Sequence, residues 1–272
     1  MSHLRREFIK ILFQKRTYFG WAGLFVVPFI IATAVYFHPG GGPGRSQEAG
    51  DFYFGIVTSN GLYVAIASLL ALSVFLLPLL AAVAGSQTLA GEAEKGTLRT
   101  TLMQPTRRGA LLAAKWLIAN AYVGLGLVIL FIGSLIAGGA FFGFRSLLLV
   151  SMGTVGVAHG IGLIAVAYLF VWVAMATAVS LSLLFSTLTD SGLTAVAGSM
   201  VLVIIMIVLG NIPSLDFLQP YLFTSHFPAW LNFFSDPIVW TPIRDALIAF
   251  AAWIVATTGL AWMIFRRKDI HS

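Results

Sequence analysis

Two carboxylates, Glu92 and Glu94, stand one residue apart in the run Gly91-Glu92-Ala93-Glu94-Lys95-Gly96-Thr97-Leu98-Arg99-Thr100-Thr101-Leu102-Met103-Gln104-Pro105-Thr106-Arg107-Arg108. Paired carboxylates do acid–base chemistry when a nucleophile, a base or a metal stands beside them. Nothing of that kind accompanies these two. The chain has no cysteine, which excludes disulfides, thiolate catalysis and Cys-ligated zinc. It has no HExxH and no Gly-x-Ser-x-Gly pattern, so a membrane protease or lipase has no support. His159 is the one histidine near an apolar span, and alone it lacks the partners of a metal or relay site; a polar packing role is expected of it. There is also no Gly-x-x-x-x-Gly-Lys-Ser/Thr phosphate loop, so the chain is not expected to bind ATP itself. Two readings of Glu92 and Glu94 stay open on spacing alone. They are solvated charges beside Lys95 and Arg99, or they are contact groups for another protein.

The residues after the pair predict a compact helical elbow. Gly96 ends or breaks the helix before it, and Thr97 suits the N-cap of a short one. Leu98, Leu102 and Met103 give that helix an apolar edge. Pro105 stops it, and Thr106 caps the long helix that follows.

What must hold this elbow is a membrane-embedded bundle. Of the 272 residues, 59% are hydrophobic and 10% charged, against roughly 25% charged in an ordinary soluble domain. A water-soluble fold of this composition would lack the polar surface to cover itself. A spanning helix needs ~20 apolar residues, and six segments qualify, near 18–37, 62–84, 110–138, 157–186, 192–212 and 243–265. Pro28 and Pro78 fall inside the first two and predict local kinks. Gly124, Gly126, Gly133, Gly138 and Gly139 predict close helix–helix packing. The expected fold class is all-α, one polytopic membrane domain over residues 1–272.

Charge sets the expected orientation. Of sixteen Lys and Arg, five lie in the N-terminal tail (Arg5, Arg6, Lys10, Lys15, Arg16), five in the 85–115 connection (Lys95, Arg99, Arg107, Arg108, Lys115) and three in the C-terminal tail (Arg266, Arg267, Lys268). Basic loops stay cytoplasmic, so both termini and this connection are expected in the cytoplasm and the number of spans must be even. Arg107, Arg108 and Lys115 read as topology anchors. The net charge of +6 and pI near 9.8 therefore answer to anionic lipid head groups, not to nucleic acid. Leu4, Phe8, Ile11 and Leu12 share one helical face, which predicts an amphipathic helix over 2–17 lying on the membrane. The stretch His38-Pro39-Gly40-Gly41-Gly42-Pro43-Gly44 has no helix or strand pattern. Residues 213–242 are rich in Phe, Tyr and Trp and cut by Pro213, Pro220, Pro228, Pro237 and Pro242; they predict short helices dipping into the outer leaflet.

The run GEAEKGTLRTTLMQPTRRGALLAAKW resembles the cytoplasmic loop of ABC-2 type transporter permeases, in which an acidic pair precedes Gly-Thr-Leu-Arg, then Pro, basic residues and the third span. The ending Phe265-Arg266-Arg267-Lys268-Asp269-Ile270 is similar to that family's ending, and the layout of interfacial helix, six spans and outer segment matches over the whole chain. The resemblance implies a coupling loop over 86–109 whose helix seats in a cleft of a separate ABC ATP-binding subunit. By this match Glu92, Glu94, Gly96, Thr97, Leu98 and Arg99 would be the ATPase-coupling residues. It further implies a second permease copy or homologue giving twelve spans, ATP and Mg bound by the partner ATPase and no cofactor in this chain. It also implies export across the inner (plasma) membrane. Spans free of fixed charge suit a lipid, hydrophobic drug or amphipathic peptide and disfavour an ion or proton pathway. The competing expectation is an ATP-independent six-span scaffold or lipid transporter.

Overall fold

The computed structural model describes residues 15–37, 60–94, 108–149 and 153–267. The helices are α1 (Lys15–Phe37), α2 (Leu62–Ser73), α3 (Leu76–Ser86), α4 (Ala90–Glu94), α5 (Arg108–Phe142), α6 (Val157–Leu188), α7 (Gly192–Gly210) and α8 (Trp240–Arg267). Two 3₁₀ segments, Pro213–Tyr221 and Phe223–Phe234, lie between α7 and α8. Five helices are long and apolar enough to cross a membrane, and the number is six when the bent pair α2 and α3 is counted as one span. The expected interfacial helix over 2–17 falls outside the described residues as far as Gln14, as does the expected short helix after Thr97.

These helices form because little else is open to the chain. In hydrocarbon every backbone N–H and C=O must be satisfied within its own segment. Both faces of each span are apolar, one turned to neighbours and one to lipid: Ile30, Leu193 and Val255 are exposed, while Leu24, Leu130 and Ile164 are fully enclosed. Trp21 stacks on Tyr122 with ring centroids 5.4 Å apart, and Tyr36 meets Phe141 at 5.7 Å, so α1 and α5 run parallel. The α2–α3 crossing runs back beside them, with Gly61 against Gly138 of α5 and Leu80 against Gly20 of α1 and Gly126 of α5. Leu89, Leu111, Leu112, Leu183, Ala261 and Phe265 form one cluster, which gathers the connection after α3, the start of α5 and the ends of α6 and α8 at a single end of the bundle. We call it the basic end, after the Lys and Arg of the adjoining connection and tail.

The second crossing is not one helix. It is bent by 58° between Ser73 and Leu76, and Phe75 leaves the helical region with φ −131° and ψ −52°. Pro78 is the cause. It has no N–H to give the Val74 carbonyl, and its ring crowds that same carbonyl, so the break falls three to four residues upstream of the proline. The helix restarts with Leu79 N–H donating to the Phe75 carbonyl at 2.9 Å.

At the far end a detail not anticipated from sequence closes the bundle. Leu147–Leu148 pairs antiparallel with Thr154–Val155, in the register Leu147 to Val155 and Leu148 to Thr154. Asn60 ties this hairpin to α2. Its amide nitrogen donates to the Arg145 carbonyl (2.7 Å) and the Ser146 carbonyl (3.1 Å), and its amide oxygen accepts from Leu62 N–H (3.1 Å) and Arg145 N–H (3.2 Å). Gly143, at φ +69°, ends α5 in the left-handed conformation that favours glycine. The expected small-residue packing is present: a Cβ on Gly138 would stand 2.0 Å from the Gly61 carbonyl oxygen, and one on Gly124 would stand 2.8 Å from the Trp172 ring. His159 is exposed in the first turn of α6, so the packing role expected of it is not what the fold uses.

The aromatic stretch after α7 is packed against the spans. Phe223, Phe227, Trp230, Phe233 and Phe234 are buried, whereas Phe217, Tyr221 and Trp240 are exposed. Phe233 meets Phe170 of α6 edge to face, and Phe223 meets Trp253 of α8 in the same way.

Candidate coupling site at the basic end

The site is built where α3 gives out. Ser86 is its last residue, and the turn over Gln87–Leu89 leads into the five residues of α4. So short a helix cannot stand on its own hydrogen bonds. It is held by contacts with three spans.

The first is α6. Ser182 and Ser186 sit four residues apart and so share one face of that helix. Ser182 Oγ donates to the Ala82 carbonyl at 2.5 Å, and Ser186 Oγ donates to the Ser86 carbonyl at 2.9 Å. Ser186 Oγ then accepts the N–H groups of Leu89 (3.3 Å) and Ala90 (2.8 Å), which lie past the end of α3 and lack helical partners. Gly85 makes the approach possible, because a Cβ there would fall 2.6 Å from the Val179 carbonyl oxygen.

The second is α5. Lys115 Nζ lies 2.7 Å from Glu92 Oε2, with the two side chains 4% and 10% exposed. The same ammonium donates to the Thr88 carbonyl at 2.7 Å. Lys115 was expected to anchor topology from a head-group position; it is instead enclosed within the protein. The reason is steric: Lys115 lies two turns into α5, on the side that faces α3 and α4. A lysine enclosed there must find an anion, because an unpaired buried charge is costly. Glu92 is correspondingly not a solvated charge.

The third is α7. Ser191 occupies its N-cap without making a side-chain cap. Glu94 Oε2 takes that place from another element, accepting Gly192 N–H at 3.1 Å. A carboxylate is favoured at this end of a helix by its dipole. A Cβ on Gly192 would lie 3.4 Å from Glu94 Oε2 and 3.5 Å from the Gly91 Cα, so the two backbones touch.

Of the sequence-predicted site residues, Glu92 and Glu94 are thus brought to one short helix, on different partners. Gly96, Thr97, Leu98 and Arg99 lie outside the described residues. Lys115, Ser186 and Gly192 are the participants that sequence reasoning missed. Lys115 carried a readable signal, a lysine seven residues into a long apolar helix. Ser186 carried a weaker one, as the partner of Ser182 at helical spacing. Gly192 carried none.

Among the described residues no group of three His, Cys, Asp or Glu could hold a metal ion. Mechanically it is a clamp. Glu92 precedes the 95–107 connection and Lys115 follows it, so their ion pair fastens both ends of that connection together. The Ser186 and Glu94 contacts fasten the same point to α6 and α7.

No curated protein matches the chain. A family model described as ABC-2 family transporter protein matches residues 4–270, over the same apolar crossings and basic-end clamp. The chain therefore belongs to the ABC-2 transporter family and is a multi-pass membrane permease component of an ABC transporter, without an ATPase site of its own.

Proposed function

We propose that this chain is the membrane-spanning subunit of an ATP-driven exporter of a hydrophobic or amphipathic molecule, and that the 95–107 connection receives the push of a separate ATP-binding subunit in the cytoplasm. The observation that carries the reading is the clamp. A force on a loose connection would be absorbed by its own bending. A force on one whose two ends are joined by Glu92 and Lys115 moves α5, α6 and α7 together, which is what rigid-body switching of a bundle requires. Supporting the cytoplasmic side is the excess of Lys and Arg on both tails and on this connection. Supporting an apolar cargo is the absence of Asp, Glu, Lys and Arg from 17–37, 117–144 and 191–215. In the same reading Thr97, Leu98 and Arg99 meet the ATPase, Gly96 lets the chain turn toward it, and Mg-ATP is bound there. A second permease copy or homologue completes the path, and the complex sits in the plasma membrane with both termini inside.

The test is co-purification of the chain with the Walker-motif ATPase that the neighbouring reading frame is expected to encode. Thr97→Ala, Leu98→Ala and Arg99→Ala together should weaken docking at least tenfold and abolish cargo-stimulated hydrolysis. Full docking and full stimulation by the triple variant, or transport of cargo by the chain alone, would overturn the proposal in favour of an ATP-independent transporter.

A further inference from the structure

The turn between α6 and α7 carries apolar side chains at a depth where no hydrocarbon covers them. Leu183 of α6 packs with Leu111 of α5 and Phe265 of α8 in the cluster at the basic end, which gives the three helices a common depth. Arg266 and Arg267, both exposed, follow Phe265 directly, so the hydrocarbon ends close to that cluster. Leu188 stands further along α6 than Leu183 by ~7.5 Å, at ~1.5 Å per residue, and is 59% exposed. Leu193, across the turn, is 77% exposed, more than any other large apolar side chain among the described residues. It follows Gly192, whose N–H donates to Glu94 Oε2, so it lies level with α4. A leucine facing lipid needs no further partner. A pair of exposed leucines outside the hydrocarbon marks a contact with another protein.

The position of the turn says which protein. Thr189 and Ser191 are extended, with ψ 157° and 123°. Ser191 N–H donates to Thr189 Oγ1 at 3.3 Å, and the Gly192 bond to Glu94 closes the turn on α4. The turn lies against that short helix, since a Cβ on Gly192 would stand 3.5 Å from Gly91 Cα. Ala90, Gly91 and Glu92 are buried, so α4 offers a partner little surface of its own. The 95–107 connection leaves the fold at Glu94, in hydrogen-bond contact with the turn. A protein that presses on the connection meets Leu188 and Leu193 beside it.

We propose that Leu188 and Leu193 form a second docking surface for the ATP-binding subunit, entering an apolar seat on that protein next to the one that receives the connection. The inference rests on the exporter reading and deepens it. A push then reaches α7 directly as well as through α4. The Glu94–Gly192 contact keeps the two points of application at a fixed separation, so the partner turns the bundle where a single contact would bend one loop.

The chain has no cysteine, so single cysteines report on chosen positions. Leu193→Cys is compared with Val255→Cys in the middle of α8, where the parent side chain is 70% exposed. Each is placed in nanodiscs and treated with a membrane-impermeant maleimide, alone and with saturating ATPase from the neighbouring reading frame. Leu193→Cys should react in the chain alone and about tenfold or more slowly once the ATPase is bound, while Val255→Cys should react in neither case. Leu188→Ser combined with Leu193→Ser should weaken ATPase docking by about tenfold or more, which is what burial of one leucine contributes. Unfolding of that double variant in SDS should match the parent, because both side chains are exposed. Failure of Leu193→Cys to react in the chain alone, or equal reaction of the two cysteines, would remove the depth argument and overturn the inference. So would equal rates with and without bound ATPase, or unchanged docking of the double variant. A parent chain that docks the ATPase while its variants fail these tests loses the second surface and keeps the exporter reading; a parent that docks no ATPase loses both.

Discussion

Removing the Lys115 charge while leaving Glu92 in place probes the clamp most directly. Both side chains are enclosed, at 4% and 10% exposure, and their charged atoms are 2.7 Å apart. Breaking such a pair from one side costs about 3–5 kcal/mol, because the remaining charge stays buried and unmatched. Lys115→Met also strips the Thr88 carbonyl of its donor, worth about a further 1 kcal/mol. Glu92→Gln leaves an ammonium against an amide and should fall in the same 3–5 kcal/mol range. The double variant removes both charges at similar volume. Replacing a buried pair with well-packed neutral groups is often neutral, so its loss should shrink to the Thr88 contribution, about 1 kcal/mol. The coupling energy of the cycle should then be at least about 6 kcal/mol, the two single losses summed less that of the double variant. The assay is reversible unfolding of the four proteins in mixed micelles, with SDS mole fraction as the denaturing variable. Additive losses, with the double variant as unstable as the two singles summed, would show that the charges do not act as a pair and would remove the physical basis of the clamp. A second readout on the same proteins separates stability from transmission: the double variant should fold and dock its ATPase yet lose at least half of the cargo-stimulated hydrolysis.

Other substitutions probe the surrounding contacts. Ser186→Val strands the N–H groups of Leu89 and Ala90 and should raise amide exchange over residues 86–94 by at least tenfold, equivalent to about 1.4 kcal/mol or more, with little change in α1. Glu94→Gln keeps an acceptor for Gly192 N–H but not the charge at the α7 N-terminus; it should cost only a few tenths of a kcal/mol, against about 1 kcal/mol for Glu94→Ala. Gly138→Ala places a methyl 2.0 Å from the Gly61 carbonyl oxygen and should sharply reduce the yield of folded protein, whereas Gly162→Ala, with open space around it, should be neutral or stabilise by up to about 1 kcal/mol. If the two glycine variants behave alike, the close approach of α2 and α5 is wrong.

The all-α membrane class was legible from composition, since a chain this poor in charge cannot cover a soluble surface, and the positions of the long apolar runs followed from the length a span requires. Runs 157–186 and 192–212 came within two residues of α6 and α7 because polar or turn-forming residues bracket them. The second run could be marked as kinked but not as broken: Pro78 names a lost hydrogen bond, while the 58° bend depends on what packs into the opening. The Glu92–Glu94 pair was visible as a cluster near a turn. Its partners were not, because Lys115 and Gly192 are 23 and 98 residues away from Glu92 and Glu94 along the chain, and local periodicity carries no information about which spans become neighbours. Solvent preference is a property of each segment and can be read one segment at a time; a clamp or a pocket belongs to the relation between segments and exists only once the helices have chosen their neighbours.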